Sequence, residues 1–144
     1  MELNQVLQHL DYTISKAKEL KPEQFDYSDV VMEFDELKKC GTVCCILGHY
    51  PNWQIKGFSY FKSIVDFEVD YSETDSIDIK DGLSHYHGIS LTLVNFLFFG
   101  RGPLFRNLPH YNDLKDYSLS EVIQRFELVR KLLASGAITP MHPF

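Results

Sequence analysis

The stretch that most constrains this chain runs from Cys40 to Trp53 and reads CGTVCCILGHYPNW. Gly41, Cys44, Cys45 and Gly48 fall at i, i+3, i+4 and i+7, which is one face of an α-helix, while Val43, Ile46 and Leu47 occupy the other side. A short helix that is apolar nearly all round is a buried one. Its small face lets neighbouring backbones approach closely, and its aliphatic face fills a core at ordinary packing density. Thr42 offers an N-cap, and Pro51 forbids continuation past Tyr50. The spacing therefore predicts a central buried helix over 43–49, with His49 emerging at its C-terminal end.

Three longer helices are expected around it. Leu3, Val6, Leu7, Leu10, Ile14, Ala17 and Leu20 keep helical spacing over residues 2–20, with Lys16 and Lys18 near the end, where cations suit the helix dipole. Ser90 offers an N-cap for LTLVNFLFF, a nearly all-apolar run that closes at Gly100 and defines a helix over 90–99. Ser118 with Glu121 three residues later makes a capping box. From there Leu119, Val122, Ile123, Phe126, Val129, Leu132 and Leu133 mark the buried face of a helix over 118–135, which Gly136 ends. The segment VVMEFDELKK, with poorer periodicity, reads as a short helix leading into the central stretch.

Between Trp53 and Gly88 the pattern changes. Residues 55–65 are aromatic-rich and fit either a helix or a strand. Phe67, Val69 and Tyr71 alternate with charged residues, and Ile77 and Ile79 alternate with Ser76, Asp78 and Lys80. With SETD as the turn, a small β-hairpin is expected within 65–80. The expected fold is mainly α (α+β), a compact helical arrangement around the short buried helix with a hairpin insert, forming a single domain over 1–144.

The formal charge of −6 speaks against general nucleic-acid binding, which demands a Lys/Arg surface. No apolar run approaches the roughly twenty residues that a membrane span needs, and the N-terminus lacks a signal-peptide pattern. A cytoplasmic setting without membrane contact is the expectation. The three cysteines all lie within 40–45, where they read as free, buried thiols rather than a disulfide framework.

The run from Cys40 through Gly41, Thr42, Cys44, Cys45 and Gly48 to His49 resembles the signature of a loose group of small uncharacterised phage and bacterial proteins, in which a Cys-Gly-Thr-x-x-Cys-x-x-Gly core ends in His or Trp. Gly88-Ile89-Ser90 leading into LTLVNFLFF is similar to their second motif. The resemblance implies a phage or bacterial setting, with the host cytoplasm as compartment if the chain is phage-encoded, and carries no mechanism.

Several clusters bear on chemistry. Cys45 and His49, like Cys40 and Cys44, share i,i+4 spacing and either pair can face one ion, but a second Cys pair to complete a four-ligand zinc site is missing. His85 and His87 in SHYHG would project on one side of a strand. Together with His49, Asp78 or Asp81 they make the metal alternative, a metal-dependent hydrolase holding zinc or another divalent ion. The same residues also read as an exposed polar turn bounded by Gly82 and Gly88. From Asp66 to Asp81 seven carboxylates face the single Lys80, and DFEVDY lacks the glycine of a calcium loop, so a solvated strand face is expected there. Arg101 and Arg106 in the Gly-rich stretch after residue 99 suit a phosphate, which gives a nucleotide-binding sponge as a further alternative.

Helix packing and turn chemistry account for most of these residues and leave no complete catalytic set. The leading expectation is a non-enzymatic binding protein without a cofactor, engaging a host protein or sequestering a small ligand. Tyr60, Tyr71 and Tyr86, with Arg101 and Arg106, are the expected contact residues, and homodimerisation is compatible with so aromatic a chain.

Overall fold

In the computed structural model, residues 1–21, 46–62, 67–98 and 119–142 are described. The apolar periodicity of the N-terminal segment produces α1 (Leu3–Lys18), which buries Val6, Leu10, Ile14 and Ala17. At the other end α4 (Leu119–Ser135) buries Val122, Phe126, Val129 and Leu133 and packs along α1. Between them run β1 (Phe58–Lys62), β2 (Phe67–Tyr71), α2 (Ile79–His87) and α3 (Leu91–Phe98). The fold is mainly helical with a small two-stranded antiparallel hairpin. Ser90 caps α3, its Oγ accepting the Leu93 N–H at 3.3 Å. No helix among the described residues is long and apolar enough to cross a membrane.

The central element is tighter than the spacing predicts. Ile46–His49 is a single 3-10 turn, all four of its residues buried. His49 does not emerge: it is 2% exposed and stacks on Trp53 with ring centroids 5.4 Å apart. The Trp53 N–H donates to the His49 carbonyl at 2.9 Å, so the Pro51-containing turn folds back over the imidazole. The expected helix start, with Cys40, Gly41, Thr42, Cys44 and Cys45, lies outside the described residues, as do Arg101, Arg106 and Ser118.

The hairpin sits earlier in the chain than the alternation suggests. β2 pairs with β1, Phe58 opposite Tyr71 and Tyr60 opposite Val69, which makes residues 58–62 of the ambiguous stretch a strand. Phe58, Val69 and Tyr71 turn inward to the core while Ser59 and Asp70 face out. Ile77, expected as an inward strand residue, is fully exposed. The reason is local capping. Asp78 is the N-cap of α2, its carboxylate accepting the Lys80 N–H at 2.9 Å, and Ser76 Oγ donates to Asp81 at 2.7 Å. The residues that mimic the polar half of a strand are the start signal of a helix. SHYHG is accordingly neither strand nor exposed turn but the last turn of α2, ended by Gly88 in the left-handed conformation at φ 66°.

Candidate functional site

A cavity of about 260 Å³ opens where α1, α2 and the end of the hairpin meet. Its aromatic wall comes from His9, Tyr71, His85 and Tyr86, and its charged rim from Lys56 and Glu73, with Met1 at one side.

Each wall residue is held by a contact with a clear cause. The last four carbonyls of a helix have no partner within it. Tyr86 carries one of these in α2, and it accepts a 2.6 Å hydrogen bond from His9 Nδ1. A carbonyl only accepts, so Nδ1 carries a proton, and Nε2 is left for another partner. The same imidazole stacks on the Tyr86 ring, centroids 4.3 Å apart and planes 9° from parallel.

Tyr71 is fixed by two glycines. A Cβ on Gly57 would come within 2.6 Å of its ring, and a Cβ on Gly82 within 2.7 Å of its own Cβ. Gly57 lies at φ 93°, where other residues are strained, so it serves both the turn and the close approach. The slot aims the phenol at His85, Oη to Nδ1 2.7 Å. Burial, with Glu73 adding to it, raises the Tyr71 pKa; burial foremost, then the neighbouring Tyr12 and Tyr71, pushes that of Tyr86 up to about 12. Both phenols stay protonated at neutral pH.

What these groups leave unused defines the site. His9 and His85 spend only Nδ1, and the Tyr86 hydroxyl makes no hydrogen bond among the described residues. Lys56 and Glu73 form no ion pair among the described residues. A cavity walled by aromatic rings, carrying free donors, acceptors and one charge of each sign, can orient a small polar ligand.

The structure brings Tyr71, Tyr86 and His85 together here. Tyr60 lies apart from the lining, its hydroxyl donating to the Gly48 carbonyl and tying β1 to the 3-10 turn. The His49, His85 and His87 trio is dispersed. Two residues apart on a helix, His85 and His87 point about 200° from each other, so one lines the cavity and the other is wholly buried beneath it. His87 Nε2 bonds the Tyr50 hydroxyl at 2.7 Å, and burial, with His9 nearby, lowers its pKa to about 3. Among the described residues there is no group of three or more His, Cys, Asp or Glu that could hold a metal ion.

His9, Lys56 and Glu73 were not marked by the sequence. His9 does carry a signal: it lies at i+3 from Val6 and i−4 from Thr13, on the buried flank of α1, where a histidine has to find a partner.

Fold and site together define a mainly helical protein with a small aromatic, polar-lined cavity. No protein-family model, curated protein or solved structure matches the chain.

Proposed function

We propose that the protein is a non-enzymatic binding protein that sequesters a small ligand in the cavity of His9, Tyr71, His85 and Tyr86. The observation that carries this reading is the unspent hydrogen-bonding capacity on a pre-shaped wall: two imidazole Nε2 atoms and the Tyr86 hydroxyl. Groups already locked by Nδ1 bonds and stacking bind a ligand without an ordering cost. The division of His85 from His87 favours this reading over a hydrolase built on that pair. The likeness of residues 40–49 to small phage and bacterial proteins supports a phage-encoded setting, with host cytoplasm as the compartment. A host-protein contact on the acidic segment is the second form of the same reading, and the wholly exposed Ile77 favours it.

Native mass spectrometry of the full chain beside its denatured mass tests the reading. The expected result is a carried small molecule, diminished in a Tyr86→Phe/His85→Ala variant that keeps its circular dichroism spectrum. A bare chain whose cavity resonances respond to no member of a small polar fragment set would overturn it. Excess mass equal to a metal ion would favour the histidine alternative instead.

A further inference from the structure

The rim of the cavity holds two opposite charges that geometry makes neighbours. Beyond the last pair of the β1–β2 ladder, Phe58 opposite Tyr71, the Ser72 N–H still donates to the Gly57 carbonyl at 2.9 Å. The register therefore continues one step, to Gly57 opposite Ser72, and leaves Lys56 and Glu73 as the next residues on the two chains, Lys56 at the corner of the turn that the Phe58 N–H closes on the Ile55 carbonyl. Their side chains form no ion pair among the described residues, and both line the cavity. A Cβ on Gly57 would meet Glu73 Cγ at 2.8 Å, so the carboxylate stem lies flat over the glycine on the Tyr71 side.

The exposed Glu73 carboxylate gives this end of the cavity its negative charge. The Tyr71 ring lies beside it, close to the same Gly57 position, and His9 Nε2 is unbonded among the described residues. Lys56 brings a positive charge to the same lining. An open cavity of about 260 Å³ suits one ring with a short polar head.

Resting on the small-ligand reading above, we propose that the cavity takes a free α-amino acid with a planar side chain. Its ammonium sits on Glu73 beside the edge of the Tyr71 ring, its carboxylate meets Lys56, and its ring lies against the His9–Tyr86 stack.

The test is a titration of the full chain, followed by NMR shifts of the histidine and tyrosine side chains, with four probes of one shape. L-phenylalanine carries both charges, phenethylamine the ammonium alone, 3-phenylpropanoate the carboxylate alone, and 3-phenylpropanamide neither. Phenylalanine should bind most tightly, with each lost charge weakening it about fivefold. Glu73→Gln should erase the preference for phenylalanine over 3-phenylpropanoate and leave that over phenethylamine intact; Lys56→Gln should do the reverse. Equal binding of all four probes at the cavity would overturn the amino-acid assignment and leave the small-ligand reading standing. Binding by none overturns the assignment as well, and the native mass experiment then decides the broader reading on its own.

Discussion

Tyr50 and His87, 37 residues apart in the chain, meet through a 2.7 Å hydrogen bond at a point where neither side chain has any exposed surface. Thr13 Oγ1 lies 3.2 Å from the same phenol oxygen, so one hydroxyl joins α1, the segment after the 3-10 turn and α2. Around it Phe58, Tyr86 and Phe98 present their edges to the Tyr50 ring. The cavity wall stands directly on this centre, because His87 is flanked in sequence by Tyr86 and in space by His9.

Tyr50→Phe keeps the ring and removes the shared hydroxyl. His87 Nε2 then loses its partner in a place water does not reach, which costs about 1–3 kcal/mol. A chemical-denaturation midpoint lowered by that amount, with an unchanged slope, is the expected outcome; an unchanged midpoint would show the hydrogen bond to be dispensable.

His87 also sets a pH dependence. Its Nδ1 is buried and finds no hydrogen-bond partner among the described residues, and burial holds the ring neutral down to about pH 3, against 6.5 for the free side chain. The neutral ring places its proton on Nε2 toward Tyr50 and leaves a lone pair on Nδ1, the less costly of the two orphans. Between pH 6.5 and about 3 the unfolded chain takes up a proton that the native chain refuses, so falling pH favours unfolding. Above 6.5 the ring is neutral in both states and contributes no slope. In that lower window stability should fall by up to about 1.4 kcal/mol per pH unit from this group, and the difference between the native chain and His87→Gln isolates it from the carboxylates. Parallel pH profiles for the two chains would show that His87 is not held neutral.

Gly82→Ala tests the slot around Tyr71. In an exposed helix interior alanine is better than glycine by about 1 kcal/mol. Here the added methyl would stand 2.7 Å from Tyr71 Cβ, near the root of a side chain pinned on its other face by Gly57, and overpacking of this kind costs about 1–3 kcal/mol. The clash outweighs the propensity. Loss of thermal stability together with a shifted His85 resonance is expected, and a stabilised variant with an unmoved resonance would refute the slot.

The sequence carries more of the fold than of the site. α1 and α4 were legible because each holds helical periodicity over sixteen residues or more, and α3 because Ser90 caps a nearly unbroken apolar run. The hairpin was misplaced because Ile77-Asp78-Ile79 is too short an alternation to distinguish a strand from an N-cap, and only the capping geometry decides. Tyr71, His85 and Tyr86 were visible by residue type, but what unites them was not. His9 reaches Tyr86 across 77 residues through the packing of α1 on α2, and Lys56 and Glu73 come to one cavity rim because β1 and β2 pair. Such pairings depend on tertiary contacts that no local pattern records.

The same packing logic ranks the forces between α1 and α4. Arg130 grips Asp11 with two hydrogen bonds, Nε to Oδ1 at 2.9 Å and a second guanidinium nitrogen to Oδ2 at 3.2 Å, and this fork raises the arginine pKa. Yet the partners are 38% and 50% exposed, and ion pairs so open to water and salt are worth about 0.2–1 kcal/mol. Phe126, on the buried face of α4 with its ring edge against Phe98, is 1% exposed, and truncating such a residue costs about 3–5 kcal/mol. Arg130→Lys should therefore lower Tm only slightly, and by less as salt is raised, whereas Phe126→Ala should destabilise several times more at any ionic strength. Were the order reversed in a thermal-melt series over salt, the helix pair would be held by its surface fork and not by its apolar seam.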